Sequence, residues 1–492
     1  MSQINISNLT FSYDGSYDDI FTDVSFQIDT DWKLGFCGRN GRGKTTFLKL
    51  LMGFYEYRGN ISASVDFEYY PFSIENPSHN TLDILFGIAP DAQIWQIQKE
   101  LFKMSVGEDT LYRPFSTLSN GEQTKSLLAG LFLRENNFLL IDEPTNHLDM
   151  AARETVARYL NGKNGFIVVS HDRAFLDGCV DHILSVNRAN IEIQKGNFTS
   201  WFSNKQMRDG YEIAENERLK KDISRLETAA KRTAVWSDKV ERSKYQPLKS
   251  GLSADRGYIG HKAAKMMKRS KSTEKRRNDA AEEKSKLLKN IETAEGLKIH
   301  PLKYHTSSLL SLQEVSVSYD SREIFSDLSF SLEQGERLAL MGGNGSGKSS
   351  VIKLICGESV PHTGHMELGS RLVISYVPQD TSFLTGDLSE YARKQGIDET
   401  LFKTILRKLD FSRIQFEKDM RDYSAGQKKK VLLARSLCEQ AHLYIWDEPL
   451  NYIDILSRVQ IEDLITAYRP TMIFVEHDRA FCGNIATKSV DL

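Results

Sequence analysis

The chain contains an internal repeat, and this repeat limits the possible folds more than any other feature. Three segments of the first part return later in the same order: CGRNGRGKTTFLKLL as MGGNGSGKSSVIKLI, LLIDEPTNHLD as YIWDEPLNYID, and VVSHDRAF as FVEHDRAF. Corresponding residues are separated by 304 to 306 positions in all three. A constant order and offset indicate a duplicated domain. We therefore predict domains at 1–204 and 301–492, with a linker at 205–300 between them.

Each copy alternates short β-branched runs with longer apolar runs. In the first copy NISNLTFSY precedes a glycine-rich loop, and the helix-like run TTFLKLLMG follows that loop. Strand, loop and helix in this order are typical of an α/β fold with a largely parallel core sheet. The total of 492 residues suits about three domain-sized units of roughly 150 residues. No run approaches the roughly 18–20 apolar residues that a membrane-spanning helix needs.

The two glycine-rich loops, GRNGRGKT and GGNGSGKS, fit the pattern G-x-x-x-x-G-K-[ST]. Glycines allow the backbone N–H groups of such a loop to turn toward phosphate oxygens, and the following helix adds the partial positive charge of its N-terminus. We expect Lys44 and Lys348 to reach the β- and γ-phosphates of a nucleotide. The hydroxyl groups of Thr45 and Ser349 are expected to bind Mg²⁺.

Acidic and imidazole side chains recur after the apolar strands of each copy. An aspartate at the end of a strand suits a contact to Mg²⁺, and the glutamate beside it can polarise an attacking water. A histidine after a further strand is expected to sense the γ-phosphate. These residues are Asp142, Glu143 and His171 in the first copy, and Asp447, Glu448 and His477 in the second.

A serine–glycine signature precedes the acidic strand in each copy, as LSNGEQ and YSAGQK. With the phosphate loop, the acidic strand and the histidine, this set resembles the ATP-binding cassette (ABC) ATPases over both repeats. In that family two cassettes close head to tail, and each ATP lies between one phosphate loop and the signature of the other copy. The resemblance implies two sites that bind ATP and Mg²⁺: one with Lys44 and Glu143 opposite Ser424 and Gly426, the other with Lys348 and Glu448 opposite Ser119 and Gly121.

The resemblance also implies further contacts to the nucleotide and the metal. Tyr13 and Tyr319 match the aromatic residue that stacks on adenine in the family. Other nucleotide contacts would come from Gly38, Asn40, Gly41, Gly43, Lys44, Thr45 and Thr46 in the first copy, and from Gly342, Asn344, Gly345, Gly347, Lys348, Ser349 and Ser350 in the second. Metal contacts would come from Thr45, Asp142, Ser349, Gln379 and Asp447.

Three motifs depart from the family pattern. The glutamine between the phosphate loop and the signature is Gln379 in YVPQD, but the first copy reads YYPFS and has Phe72. The signatures carry Asn120 and Ala425 in place of one glycine, and the second NHLD-type loop reads NYID. A phenyl ring cannot hydrogen-bond to Mg²⁺ or water, so we expect unequal hydrolysis. Both sites are expected to bind ATP, and at least one to hydrolyse it.

The linker 205–300 is predicted to form an antiparallel helical hairpin. Two seams at helical spacing flank its middle: Leu219, Ile223, Leu226 and Ala230 before it, and Leu287, Ile291 and Ala294 after it. The helix breakers that place the tip near 243–260 are Pro247, Gly251, Gly257 and Gly260. Arms of about 30 residues would reach about 45 Å.

Positive charge is concentrated in this linker, although the whole chain has a formal net charge of −2. Residues 231–277 contain 15 Lys/Arg and 4 Asp/Glu. A solvated charged face normally mixes signs, and an anionic membrane surface calls for an apolar face that this segment lacks. Lys and Arg neutralise phosphates, while tyrosines and Trp236 can stack on bases. The residues predicted to contact RNA are Lys244, Tyr245, Lys249, Arg256, Tyr258, Lys262, Lys265, Lys268 and Arg269.

Two cassettes joined by a long basic linker resemble the F subfamily of ABC proteins, and the segments GNFTSW, SHDRAF and EHDRAF fit that subfamily. The resemblance implies a cytoplasmic, ribosome-associated monomer whose two ATPase domains pair within the chain. Its partners would be the 23S rRNA near the peptidyl-transferase centre and the exit-site tRNA, with no transmembrane partner. The stretch DRGYIGHKAAKMMKR is similar to the linker of the Lsa-type antibiotic-resistance proteins. That likeness implies protection from lincosamides, pleuromutilins and streptogramin A through drug release promoted by the linker tip.

Three alternative functions stay open at this point. A housekeeping translation factor of the F subfamily often carries an extra arm in its first cassette. Here the spacing from loop lysine to signature serine is 75 residues in the first copy and 76 in the second, which leaves no room for that arm. An ATPase subunit of a drug exporter would leave the basic hairpin unexplained. A DNA-repair ATPase is the third alternative.

Overall fold

The computed structural model describes residues 2–13, 19–146, 148–186, 191–242, 296–319 and 322–492, together with 265, 268, 271, 272, 275 and 276. The chain divides into two compact units, Met1–Trp201 with Ala294–Leu492, and Phe202–Thr293. Both copies of the repeat therefore belong to one unit. We call residues 2–201 the first half and residues 296–492 the second half. The domain boundaries predicted at 204 and 301 stay predictions.

The first half is an α/β structure. Its described strands are β1 Gln3–Phe11, β2 Phe21–Asp29, β3 Lys33–Gly38, β4 Arg58–Ser62, β5 Asp66–Tyr70, β6 Asn137–Asp142, β7 Phe166–Val169, β8 His182–Val186 and β9 Ile191–Lys195. Its described helices are α1 Lys44–Leu51, α2 Thr81–Ile88, α3 Ile94–Lys103, α4 Asn120–Leu131, α5 Met150–Asn161, α6 Arg173–Cys179 and the first residues of α7 Phe198–Arg242.

The second half repeats this arrangement. Its described strands are β10 Ser308–Tyr319, β11 Arg322–Glu333, β12 Arg337–Met341, β13 His362–Leu368, β14 Ile374–Val377, β15 Leu443–Asp447, β16 Met472–Val475 and β17 Lys488–Asp491. Its described helices are α8 Lys348–Ile355, α9 Leu388–Lys394, α10 Glu399–Lys408, α11 Ala425–Cys438, α12 Ile455–Tyr468 and α13 Arg479–Ile485.

Each half contains a core sheet and a smaller antiparallel sheet. The core sheets have the strand orders β5-β6-β7-β3-β8-β9 and β14-β15-β16-β12-β17. Their described strands pair in parallel, except that β9 runs antiparallel to β8. Central strands such as β7 and β15 are buried along their whole length, as expected for parallel strands covered on both faces. The predicted α/β class with a largely parallel core sheet is confirmed.

The parallel strands decide where the polar motifs meet. The acids of each half stand at the carboxyl end of β6 or β15, and the phosphate loops follow β3 and β12. In open α/β sheets this edge is where ligands bind, because the loops after neighbouring strands converge there. The apolar clusters beneath it, built around Phe47 in the first half and Trp446 in the second, fix the positions of these strand ends.

Helix α7 contains 45 residues and begins at Phe198, before the predicted linker boundary at 205. The side chains of Phe198 and Trp201 are buried, and Asn197 accepts a hydrogen bond from the Ser200 backbone N–H, so the helix start belongs to the first half. Leu219 and Ile223 of the predicted seam are partly buried. The predicted tip at 243–260 lies outside the described residues, so the hairpin stays a prediction.

None of the helices in the described part of the chain combines the length and the apolar character needed to cross a membrane. The same ranges contain no cluster of three His, Cys, Asp or Glu side chains with metal-binding geometry.

Candidate functional site

The two glycine-rich loops adopt the conformation that phosphate binding requires. Gly43 and Gly347, the residues just before α1 and α8, have left-handed backbones with φ of 84° and 101°. A Cβ atom on Gly43 would lie 2.5 Å from Ile20 Cγ2, and one on Gly347 would lie 2.7 Å from Ile324 Cγ2. Only glycine meets both the backbone and the space requirement at these positions.

The loop lysines fold back over their own loops. Lys44 Nζ donates to the carbonyl oxygens of Gly38 at 2.8 Å and Arg39 at 3.2 Å. Lys348 Nζ donates to Gly342 at 2.9 Å and Gly343 at 2.6 Å. Burial lowers the pKa of both ammonium groups below the ordinary lysine value. Both lysines therefore stand beside the predicted phosphate position, held by neutral carbonyls that an anionic phosphate can outcompete.

A hydroxyl and a carboxylate meet beside each phosphate loop. Thr45 Oγ1 donates to Asp142 Oδ2 at 2.8 Å, and Ser349 Oγ donates to Asp447 Oδ2 at 3.1 Å. Burial raises the pKa of both aspartates, and the charge of Glu448 adds to the effect at Asp447, whose pKa is raised to about 6. Hard oxygen ligands of this kind suit Mg²⁺. A bound Mg²⁺ would also offset the repulsion between the neighbouring carboxylates.

The two predicted adenine-stacking tyrosines are placed alike. Tyr13 OH lies 2.7 Å from Thr46 Oγ1, and Tyr319 OH donates to Ser350 Oγ at 3.4 Å. The two residues are 41% and 38% exposed, so neither is enclosed by the protein. Tyr13 also packs edge-on against Tyr55, with ring centroids 5.6 Å apart.

The two glutamates share an unusual backbone conformation. Glu143 and Glu448 both have left-handed backbones, with φ of 53° and 47°. Each backbone N–H donates to the next core strand, to Val169 O at 2.8 Å and to Val475 O at 3.0 Å. Non-glycine residues rarely adopt this conformation, and those that do are concentrated at functional sites. The shared conformation of the two glutamates therefore supports a functional role at the strand ends.

The surroundings of the two glutamates differ. Glu448 accepts from Gln379 Nε2 at 2.9 Å and from Asn451 Nδ2 at 2.6 Å, and its carboxylate lies 3.5 Å from His477 Nε2. Burial opposes ionisation here, but the contacts with His477 and Gln379 keep the pKa of Glu448 below its ordinary value. The Gln379 position is therefore part of the acidic site, as its sequence position indicates.

Glu143 lacks the counterpart of Gln379, since Phe72 stands at that position. Its carboxylate lies 3.3 Å from His171 Nε2, and burial, followed by the charge of Asp142, raises the pKa of Glu143 to about 8. His171 Nε2 also lies 3.1 Å from Asn40 Oδ1, and burial, with the charge of Lys44, lowers the pKa of His171 well below its ordinary value.

The signature serines cap two helices that point toward the sites. Ser119 caps α4 and accepts from the Glu122 N–H at 3.3 Å, while Ser424 caps α11 and accepts from the Gln427 N–H at 3.3 Å. In both, the third helical residue returns a hydrogen bond to the serine N–H, which completes a capping box. Helix N-termini carry partial positive charge and favour phosphate oxygens.

Residues of both halves enclose each site. We call the cavity at the first phosphate loop cavity A; its volume is about 550 Å³. The cavity at the second phosphate loop is cavity B, with a volume of about 900 Å³. Cavity A brings Lys44, Glu143 and His171 together with Ser424 and Gly426. Cavity B brings Lys348, Glu448, His477 and Gln379 together with Ser119 and Gly121. Each phosphate loop thus lies in one cavity with the signature of the other half, as the resemblance implies. The roles of these residues toward ATP stay predictions.

The other predicted nucleotide contacts lie at the same two places. Cavity A is also lined by Tyr13, Asn40, Gly41, Gly43, Thr45, Thr46 and Asp142. Cavity B is also lined by Asn344, Gly345, Gly347, Ser349 and Ser350. Outside these linings, Gly38 and Gly342 hold the loop lysines, Asp447 holds Ser349, and Tyr319 contacts Ser350.

Sequence reasoning missed several residues of the sites. Lys430 lines cavity A, and its buried ammonium lies 3.1 Å from Asp454 Oδ2. Tyr69 OH donates to Asp142 at 3.1 Å. Tyr452 of the second half lines cavity A, and its carbonyl accepts from Asn40 Nδ2 at 2.9 Å. Lys430 could have been found from the repeat, because Lys125 occupies the matching sequence position and lines cavity B.

Few of the predicted RNA contacts are described. Lys265 and Lys268 are exposed and have helical backbones. The other predicted contacts lie outside the described residues: Lys244, Tyr245, Lys249, Arg256, Tyr258, Lys262 and Arg269.

A scan against protein-family models matches both halves. The model described as ABC transporter covers residues 21–146 and 325–451. These ranges include the phosphate loop, the signature and the acidic strand of each half.

Curated relatives extend over nearly the whole chain. The chain is 27% identical to the ATP-binding protein Uup of Buchnera aphidicola subsp. Acyrthosiphon pisum (strain APS), over 99% of this chain and 80% of that protein. It is 27% identical to the ribosome protection protein VmlR of Bacillus subtilis (strain 168), over 96% of this chain and 83% of that protein. It is 25% identical to ABC transporter F family member 2 of Arabidopsis thaliana, over 100% of this chain and 76% of that protein.

Solved structures share the fold. The archaeal ribosome recycling factor aABCE1, determined in complex with the ribosomal stalk protein aP1, aligns with a TM-score of 0.64 and 18% identity, over 98% of this chain and 87% of that chain. The RNase-L Inhibitor aligns with a TM-score of 0.62 and 18% identity, over 99% of this chain and 87% of that chain. At this identity the likeness concerns the fold.

Proposed function

The chain belongs to the ABC family of ATPases, with F-subfamily relatives along its whole length, and from this premise we propose that it binds the ribosome in the cytoplasm and protects translation from antibiotics at the peptidyl-transferase centre. The observation that carries the proposal is that both cavities combine loops of the two halves, while the segment connecting these halves is strongly basic. Binding of ATP between the two halves would thereby act on the basic segment that connects them, which is the segment proposed to bind RNA.

The residues of both cavities fit ATP with Mg²⁺. Loop N–H groups and the loop lysine bind the phosphates, and the opposite signature helix presents its N-terminus to the γ-phosphate. Thr45 with Asp142, and Ser349 with Asp447, would hold Mg²⁺, which would supply positive charge beside the transferred phosphoryl group. Glu448 accepts hydrogen bonds that orient its carboxylate, and it is the residue that positions the attacking water in cavity B.

Helix α7 is the element that would connect ATP binding to the linker. It begins at Phe198, buried in the first half, and runs without interruption to Arg242. A continuous helix transmits displacement along its axis better than a flexible connection. Beyond Arg242 the sequence supplies the basic residues and the two tyrosines, Tyr245 and Tyr258, that suit single-stranded or looped RNA.

Two lines of support favour the ribosome over other polyanions. The relative VmlR is named a ribosome protection protein and matches 96% of this chain. The stretch 255–269 also resembles the linker of the Lsa-type proteins, and on that ground we propose lincosamides, pleuromutilins and streptogramin A as the drugs. The 23S rRNA near the peptidyl-transferase centre and the exit-site tRNA are the proposed contacts.

The decisive experiment is translation in a reconstituted extract that contains a lincosamide or a pleuromutilin. The wild-type protein is expected to restore synthesis. A variant in which 245–258 are replaced by a short Gly-Ser turn should still bind ribosomes and hydrolyse ATP, yet no longer restore synthesis. Full protection by this shortened variant would refute a role for the tip.

Ribosome binding itself is tested by sedimentation at several salt concentrations. Binding that neutralises phosphates weakens with a slope of about −0.7 to −0.9 per contact in a plot of log affinity against log salt. Replacing Lys265 and Lys268, both exposed, together with Lys262 and Arg269 by Ala should lower affinity and flatten that slope. Sedimentation with membranes and not with ribosomes would favour the exporter alternative.

The housekeeping alternative predicts a different phenotype. A general translation factor is needed without any drug, so a deletion strain would grow slowly in drug-free medium. The proposed function predicts normal drug-free growth and increased susceptibility to peptidyl-transferase drugs.

A further inference from the structure

One ion pair joins the two halves beside cavity A. Arg39 Nη1, in the phosphate loop of the first half, lies 3.6 Å from Asp410 Oδ1 of the second half. The side chains are only 9% and 23% exposed. Asp410 follows α10 in a loop that also contributes Phe411 to the wall of cavity A. The pair is therefore partly shielded from solvent, where an ionic attraction is screened less than on an open surface.

The matching place beside cavity B has neither residue of this pair. By the repeat offset, Arg39 corresponds to Gly343 and Asp410 corresponds to Ser105. Ser105 and Asp410 both have left-handed backbones, with φ of 54° and 66°, so the two loops share a conformation. Ser105 lines cavity B as Asp410 lines cavity A. The backbone frame is thus present in both sites, while Gly343 and Ser105 replace the arginine and the aspartate at cavity B.

The residue after Arg39 adds a second connection. Asn40 Nδ2 donates to the carbonyl of Tyr452 in the second half at 2.9 Å. Two consecutive side chains of the first phosphate loop therefore contact the second half. Opening of cavity A requires both contacts to break, in addition to any contact made through a nucleotide.

We propose that Arg39 and Asp410 form a clasp that holds cavity A closed longer than cavity B, so that nucleotide leaves cavity B first. The pair contributes in the closed arrangement and is solvated separately in the open one, so it slows opening of cavity A. This inference rests on ATP binding in both cavities and is independent of the ribosome.

The test is release of a fluorescent, slowly hydrolysed ATP analogue from the full-length protein, chased with excess ATP. Two phases are expected. Lys44→Ala should remove the slow phase and Lys348→Ala the fast one, which assigns each phase to a cavity. Asp410→Asn keeps the shape of the side chain and a residue type that tolerates the left-handed backbone, but removes the charge. It should accelerate the slow phase by about twofold to fivefold, as expected for loss of one partly screened ion pair.

Three further variants sharpen the result. Arg39→Gln should accelerate the slow phase as Asp410→Asn does, and the double variant should add little beyond either single one, because the two residues act as a pair. Ser105→Asn, at the matching position of cavity B, is the control and should leave the slow phase unchanged.

Several outcomes would overturn the clasp. The slow phase could be insensitive to both Asp410→Asn and Arg39→Gln, or it could disappear in Lys348→Ala and persist in Lys44→Ala. Equal acceleration of both phases by Asp410→Asn would show a general loosening and would also contradict the proposal. The assay contains no ribosomes, so failure of the ribosome-protection proposal would not alter its outcome.

Discussion

Arg173 of the first half and Glu462 of the second half form a two-pronged ion pair across the boundary between the halves. Arg173 Nη1 donates to Glu462 Oε2 at 3.2 Å, and Nη2 contacts Oε1. The side chains are 13% and 9% exposed. The repeat places Arg479 at the position of Arg173, and Arg479 also crosses the boundary, to Glu154 at 2.6 Å. That second pair is 72% and 54% exposed, so one molecule contains a buried pair and its exposed counterpart.

Arg173→Ala should destabilise the protein far more than Arg479→Ala. Removing one partner of a buried pair leaves an uncompensated charge and costs about 3–5 kcal/mol, whereas an exposed pair contributes about 0.2–1 kcal/mol. Differential scanning fluorimetry should show Tm lowered by about 6 °C or more for Arg173→Ala and by about 4 °C or less for Arg479→Ala. Similar shifts for the two variants would mean that burial does not set the strength of these pairs.

Changing Glu143 and Glu448 together to Gln should keep ATP binding and slow hydrolysis by about 10²- to 10⁴-fold, the usual contribution of a general base. Both residues follow the metal-side aspartates at the strand ends and share a left-handed backbone that glutamine can also adopt. Phosphate release measures the rate, and binding of a fluorescent ATP analogue is the control for folding. A double variant that hydrolyses ATP at the parental rate would assign the chemistry to other residues.

The single variants should be unequal. Glu143→Gln leaves cavity B with the Gln379 and Asn451 hydrogen bonds to Glu448, whereas Glu448→Gln leaves cavity A with Phe72 in place of the glutamine. We expect the residual ATPase rate of Glu143→Gln to exceed that of Glu448→Gln by at least about threefold. Adding Gln379→Phe to Glu143→Gln should abolish this excess. Equal residual rates for the two single variants would argue against unequal sites.

Alanine at the two signature glycines should have different effects. A Cβ on Gly426 would lie 2.5 Å from the carbonyl oxygen of Tyr452, which Asn40 also contacts, while a Cβ on Gly121 meets its nearest atom, Leu148 Cδ2, at 3.5 Å. Forcing a methyl group into packed surroundings costs about 1–3 kcal/mol. Gly426→Ala should lower Tm and weaken analogue binding in cavity A, with Gly121→Ala as the matched control. The reverse order of severity would contradict the geometry.

Glu100 should make stability depend on acid pH. Burial opposes its ionisation, but hydrogen bonds from Lys103, Lys163 and Tyr159 lower the pKa of Glu100 to about 2. A pKa that is depressed on folding contributes stability above the unfolded value, near 4.5, and loses it as the pH falls toward about 2. The Tm difference between wild type and Glu100→Gln should therefore be largest at pH 6–7 and shrink steadily below about pH 4. A difference that is constant down to pH 3 would show that the charge of Glu100 is not responsible.

The sequence alone determined the duplicated α/β architecture and the chemistry of the phosphate loops. These features are local: a loop such as GRNGRGKT sets its own backbone through glycine, and Gly43 and Gly347 adopt the expected left-handed conformation. The acids and histidines were predictable for a related reason. Parallel strands bring their carboxyl ends to one edge, so residues after successive apolar strands converge there. The opposite-signature pairing came from resemblance to the ABC family.

Only the tertiary structure decided which side chains contact one another across the halves. Asp410 lies 371 positions from Arg39, and Tyr452 lies 412 from Asn40. Such contacts depend on how two folded surfaces meet, and no periodicity or motif in the chain encodes that arrangement. The different environments of Glu143 and Glu448 also depend on the tertiary structure. Phe72 and Gln379 were visible in the sequence, but the hydrogen bonds from Gln379 and Asn451 to Glu448 depend on packing, because angles and distances set their strength.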